Sequence, residues 1–163
     1  MDEELWERAR TFAAAHQGTL VELLGFGIHG IAVVLQSENG FTQTALKIHS
    51  AREPYRRERD VYERLAESGV TKILACHVPR LLRSDDVLLA LEMTIVPPPF
   101  VLDFAGAWLD FPPEFPDEVW QERTRKWEEE FESDWPRAQA VLAELEELHI
   151  HMLDPSPSNI RFR

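Results

Sequence analysis

Gly25-Phe26-Gly27-Ile28-His29-Gly30 spaces three glycines as G-x-G-x-x-G, a pattern that lets backbone amides come close to phosphate oxygens. In a dinucleotide-binding fold the glycines open a helix, and an acidic residue follows about 20 residues later. Here Ile31-Ala32-Val33-Val34-Leu35 follows, and a turn dipeptide comes soon after, so that reading fails. What remains is a strand, a glycine turn and a second strand, able to lay amides over a row of phosphates. Lys47, in Thr44-Ala45-Leu46-Lys47, falls on the next strand, where its ammonium can neutralise phosphate charge. Glu58 lies in the helix after that and can hold Lys47 in place. Taken singly, a strand lysine is a solvated edge residue and a glutamate in a charged helix is surface. The three in order carry more weight than any one alone.

Other reactive side chains carry less. Cys76 has no base placed beside it by the sequence and reads as a small buried hydrophobe. His149 and His151 stand close together, but no cysteine cluster or third histidine accompanies them, so they read as core or helix-end residues rather than zinc ligands. The stretch from Asp110 to Asp134 is strongly acidic, with tryptophans at 108, 120, 127 and 135 in or beside it. It reads as a solvated helix whose aromatic residues pack inward.

The elements that must position these residues follow from periodicity. Leu5, Trp6, Ala9, Phe12 and Ala13 recur at helical spacing from Asp2 to about His16, with Gly18 placed to end that helix. Strands are predicted over Thr19 to Leu24, Ile31 to Gln36 and Phe41 to Ile48, with the glycine turn from Gly25 to Gly30 and a hairpin at Asn39-Gly40. A helix is predicted from Glu53 to Ser68, ended by Gly69. Two more strands, Val78 to Leu82 and Val87 to Met93, flank the turn Ser84-Asp85-Asp86. Pro97-Pro98-Pro99 cannot continue a sheet ladder and forms a stiff connector. Pro136 opens a last helix with Ala138, Val141, Leu142, Leu145 and Leu148 on one face.

With these elements placed, the chain resembles the protein-kinase-like superfamily, which includes protein kinases and aminoglycoside and choline phosphotransferases. The resemblance implies an α+β fold: a five-stranded antiparallel N-terminal lobe with one helix over residues 1–96, then a connector and a short, truncated helical part over 97–163. Gly25, Gly27 and Gly30 would cover the phosphates, Lys47 would be the strand-three lysine and Glu58 its partner. The hinge from Glu92 to Val96 would receive adenine through backbone groups. Asp154, Pro157 and Asn159 match D-x-x-P-x-N, in which the aspartate accepts the substrate hydroxyl proton and the asparagine holds magnesium.

The match is incomplete. Met152 and Leu153 stand where protein kinases have His and Arg, and Ser156 stands in place of a lysine. A downstream Asp-Phe-Gly aspartate is not found after Asn159; Asp103 and Asp110 are substitutes without support from the sequence. The expected function is ATP-type nucleotide binding by a truncated pseudokinase, with ATP as ligand and only half of the magnesium ligands in hand. The alternatives are a minimal phosphotransferase with Asp154 as base, completed by another residue or chain, and an interaction scaffold that binds no nucleotide.

Composition bounds the partners. The chain has 163 residues, 44% of them hydrophobic and 28% charged, enough to bury a core. Its formal charge of −12 sets it against DNA or RNA backbones, whose binding draws on Lys and Arg. No apolar run reaches the roughly 20 residues that cross a bilayer. One cysteine and no basic-then-apolar leader fit a reducing cytoplasm. Besides the nucleotide, a protein partner or second copy is expected on apolar surface left open by a short second lobe.

Overall fold

In the computed structural model, which describes residues 3–163, the first helix, α1 (Glu3–Ala15), buries Leu5, Ala9, Phe12 and Ala13. This is the stripe that a 3.6-residue period creates; the expected start at Asp2 lies outside the described residues. Gln17, at φ 54°, takes the left-handed position that Gly18 was expected to supply, and Gly18 instead begins β1.

Three strands follow in a meander: β1 (Gly18–Gly27), β2 (Gly30–Ser37) and β3 (Gln43–His49). The β1–β2 ladder runs to Gly27↔Gly30, so the glycine turn narrows to Ile28-His29. At the next turn Gly40, at φ 74°, donates its N–H to Ser37 O at 2.8 Å, giving a longer loop than a two-residue Asn-Gly hairpin. Next come α2 (Arg52–Glu67), two short strands, β4 (Lys72–Ile73) and β5 (Cys76–His77), and then β6 (Leu81–Asp85) and β7 (Ala90–Thr94). The last two fall about three residues later than predicted. Asp85 Oδ1 accepts from the amides of Val87 and Leu88, both at 2.8 Å, and Leu89 adopts φ 52°, which keeps Val87 to Leu89 in the turn.

The main sheet has the order β1-β2-β3-β7-β6 and is antiparallel throughout, the expected five-stranded lobe. Its two faces bury different things. Leu46, Ile48 and Ala90 pack with Leu5, Ala9 and Phe12 of α1, while Leu91 and Met93 join the core that holds Tyr55, Val61, Tyr62 and Leu65 of α2. Each fully buried Leu, Ile or Phe stabilises by roughly 1.5–3 kcal/mol relative to exposure.

After the prolines come β8 (Phe100–Val101), a 3₁₀ turn at Phe104–Gly106, β9 (Ala107–Leu109), α3 (Asp117–Phe131), α4 (Trp135–Glu147), β10 (Ile150–Met152) and β11 (Ile160–Arg161). The α+β class is therefore as expected. In the acidic stretch, α3 turns Trp127 and Phe131 inward. They share one core with Phe104, Trp135, Leu145 and the apolar face of α2, so packing is continuous across the proline connector. No helix among the described residues is long and apolar enough to cross a membrane.

A lysine–carboxylate site between sheet and helical part

Side chains on a strand alternate between faces. In β3 that rule sends Leu46 and Ile48 to the α1 face and Lys47 and His49 to the α2 face. On α2, Glu58 belongs to the same inward stripe as Val61, Tyr62 and Leu65, and its side chain is 1% exposed. Lys47 Nζ lies 2.7 Å from Glu58 Oε2 and 3.0 Å from Oε1. A five-stranded antiparallel sheet whose third strand pairs its lysine with the following helix is the arrangement the resemblance implied. The fold is protein-kinase-like.

Two further side chains complete the cluster: His49, to which the sequence assigns no role, and Asp103, which it offers only as an unsupported substitute for the missing metal-binding aspartate. Lys47 Nζ also lies 2.7 Å from Asp103 Oδ1, and His49 Nε2 lies 2.6 Å from Glu58 Oε2. Burial by itself would raise the Glu58 carboxyl, but the Lys47 ammonium and the His49 ring more than offset it and hold the group down at about 2. Burial likewise works against the charged form of Lys47, and the carboxylates of Glu58 and Asp103 reverse it, so its pKa is raised.

Asp103 follows β8 and adopts φ 65°, ψ 69°, a left-handed conformation that aspartate tolerates better than most residues. The next residue, Phe104, is fully buried and meets Tyr62 of α2 edge-on, with ring centroids 5.3 Å apart. Asp103-Phe104-Ala105 differs from Asp-Phe-Gly only in its third residue, a signal the sequence contains. That likeness lends Asp103 no support in the sequence reading, which looks for the motif after the Asp154 loop, whereas this tripeptide precedes it.

The topology brings the two loops together all the same. β8 pairs with β11 through Val101↔Ile160, and β9 pairs with β10 through Ala107↔Met152. Asp103 joins β8 to β9 and the Asp154–Asn159 segment joins β10 to β11, so the two ladders set these loops side by side. The Leu102 amide donates to Asn159 O at 2.8 Å. Within the second loop Asn159 Oδ1 accepts from the Ser156 amide at 2.8 Å and Asn159 Nδ2 donates to Asp154 O at 3.4 Å. Arg123 of α3 anchors its start by donating to Leu153 O at 2.6 Å. Asp154 itself is exposed.

The glycines divide in role. A Cβ on Gly30, at φ 140°, would stand 1.8 Å from Ile48 O, so glycine is required there for β2 to approach β3. Gly25 and Gly27 have open space where a Cβ would project. The hairpin tip is tied to the end of β3, because the Ser50 amide donates to His29 O and its hydroxyl to Ile28 O, each at 2.9 Å.

Other candidates stay apart. Glu92 lies within β7 between Leu46 and Arg83, on the face opposite Lys47, and accepts from Thr44 Oγ1 at 2.8 Å. Its backbone belongs to the sheet ladder, so it is not brought to the site. Asp110 is held by Arg64, with both oxygens at 3.1 Å. Cys76 is buried, and burial pushes its thiol up, which suits a packing residue. Among the described residues no group of three or more His, Cys, Asp or Glu side chains is arranged to hold a metal ion.

No protein-family model matches the chain, and no curated protein matches it. Among solved structures, a mutant form of the Mycobacterium tuberculosis PknI kinase domain is similar to it at 21% identity and a TM-score of 0.40, over 82% of this chain and 48% of that one. Another structure of the PknI kinase domain matches at 20% identity and a TM-score of 0.32, over 82% and 47%. The chain spans about half the length of these kinase domains.

Proposed function

We propose that this chain binds an ATP-type nucleotide, its phosphates lying between the β1–β2 hairpin and the paired loops of Asp103 and Asp154–Asn159. The observation that carries the reading is the convergence on Lys47 of Glu58 from α2 and Asp103 from the β8–β9 loop, each within 2.7 Å. Glu58 holds the ammonium beside Asp103, and open space beside Gly25 and Gly27 leaves backbone room for phosphate oxygens. Catalysed phosphoryl transfer needs charge neutralised and groups positioned more than it needs covalent chemistry from the protein.

The donor set suits magnesium. Asp103 offers a carboxylate that is 42% exposed, and Asn159 offers an amide oxygen in the adjoining loop. Both are hard oxygen donors, and magnesium is commonly held by few protein ligands together with waters and phosphate oxygens. When bound, the ion would neutralise charge on the phosphates.

A second reading, phosphotransfer with Asp154 as base, is favoured by Asp103. That residue is the further carboxylate the Asp154–Asn159 loop would need. The replacement of kinase His, Arg and Lys by Met152, Leu153 and Ser156 favours binding without turnover. Calorimetric titration of ATP with and without magnesium decides the first reading. The expected result is binding that weakens in Lys47→Ala and loses its magnesium dependence in Asp103→Asn; absence of binding in the wild type refutes it. ATP consumption that disappears in Asp154→Asn would establish the second.

A further inference from the structure

We propose that His49 is a positioning residue for this site: its buried imidazole donates from Nε2 to Glu58 and fixes the carboxylate that holds Lys47 beside Asp103. His49 stands two residues after Lys47, on the same face of β3, and is fully buried. Its Nε2 lies 2.6 Å from Glu58 Oε2, the oxygen that is also 2.7 Å from Lys47. An ionised carboxylate can only accept, so Nε2 carries the hydrogen.

The imidazole is itself held from several directions. The His49 amide donates to Leu89 O at 2.9 Å, and the ring meets Tyr55 edge-on at 5.6 Å. Arg8 reaches over from α1, donating to His49 O at 2.9 Å and Leu88 O at 3.3 Å. The helix on one face of the sheet thus braces the strand end that carries the imidazole on the other.

A core position needing only bulk would be filled by an apolar residue, since a buried polar group is costly without a partner. His49 gives Glu58 something Lys47 cannot guarantee. Once phosphate is present, Lys47 has three acceptors to serve: Glu58, Asp103 and the ligand. A Glu58 that relied on Lys47 alone would lose its partner or turn with it. With His49 in place the carboxylate keeps a donor on one oxygen and its orientation as the ammonium shifts. The charged and titratable groups around Glu58 are Lys47 and His49 from β3, Asp103 from the β8–β9 loop, and Tyr62 on α2 itself.

The consequence for ligand affinity rests on the nucleotide reading; the lock on Glu58 does not. In the wild-type protein at neutral pH, long-range ¹H–¹⁵N NMR should find a hydrogen on Nε2 of His49, and an unprotonated Nε2 overturns the proposal. Calorimetry with magnesium and ATP then compares His49→Phe, which keeps a ring, with His49→Gln, which keeps a side-chain N–H. Loss of a hydrogen bond to a charged group should weaken binding by about tenfold or more in His49→Phe, with His49→Gln recovering most of it. Equal affinity in His49→Phe and wild type overturns the role. Should the wild type bind no ATP, the nucleotide reading fails, and ¹³C NMR titration of the Glu58 carboxyl still decides the lock. An upward move in His49→Phe supports it and an unmoved titration refutes it.

Discussion

Leu46 and Ile48 meet Leu5, Ala9 and Phe12 of α1 on one face of the sheet, while on the other face, one residue along the same strand, Lys47 and His49 meet a buried carboxylate. Where α1 covers it, the first face is bound mainly by shape and apolar area, and its buried polar pair, Thr44 with Glu92, is satisfied within the sheet. The second keeps an ammonium, an imidazole and two carboxylates in or beside the core, where each is costly unless its neighbours remain. One strand therefore does two jobs by alternation: Leu46 and Ile48 stabilise the lobe, and Lys47 and His49 build a site.

Removing one member of the charged face should have the largest effect. Glu58→Ala leaves Lys47 and His49 without their shared acceptor and should cost about 3–5 kcal/mol, read from urea denaturation, with magnesium–ATP affinity lost as well. Leu46→Ala on the opposite face should cost about 2–5 kcal/mol, yet the molecules that remain folded should bind ATP as the wild type does. If Leu46→Ala abolished affinity while most of the protein stayed folded, the division between the faces would be wrong.

Acid sharpens the same contrast with a smaller effect. Glu58 is lowered from 4.5 to about 2 in the folded state, so its contribution to stability is present above about pH 4.5 and is lost as pH falls toward 2. Denaturant midpoints measured across this window should fall with pH in the wild type and in Leu46→Ala, and less steeply in Lys47→Met, where Glu58 no longer starts from so low a value. The smallest effect on stability belongs to Asp103→Asn. Its side chain is 42% exposed, and an ion pair that open contributes about 1 kcal/mol or less, so melting should barely change while magnesium dependence of ATP binding disappears.

Much of this was legible from local pattern. The helical stripe of α1, the glycine pattern, the β-rich meander and the Lys47–Glu58 pair all follow from spacing, and the pair forms because a strand residue and a helix stripe face one core. What was not legible depended on long-range pairing. Asp103 is set beside the Asp154–Asn159 loop by the pairing of β8 with β11, a strand about 60 residues later in the chain, and no periodicity announces that ladder. His49 was hidden differently: its alternation with Lys47 was readable, but only the packing of α2 reveals that both residues face one glutamate. Glu92 went the other way. Counted as part of a hinge from its position after the fifth strand's start, it lies inside the ladder, facing Thr44.

The central claim is that Asp103 and the Asp154–Asn159 loop form the metal and phosphate end of one nucleotide site. Manganese–ATP titrated into isotope-labelled protein tests this most directly, because the ion broadens amide signals near it. Selective broadening centred on residues 102–104 and 158–160, reversed by excess magnesium–ATP and lost in Asp103→Asn, is the predicted result. Broadening confined to the acidic helix α3, with Asp103 and Asn159 untouched, would contradict it.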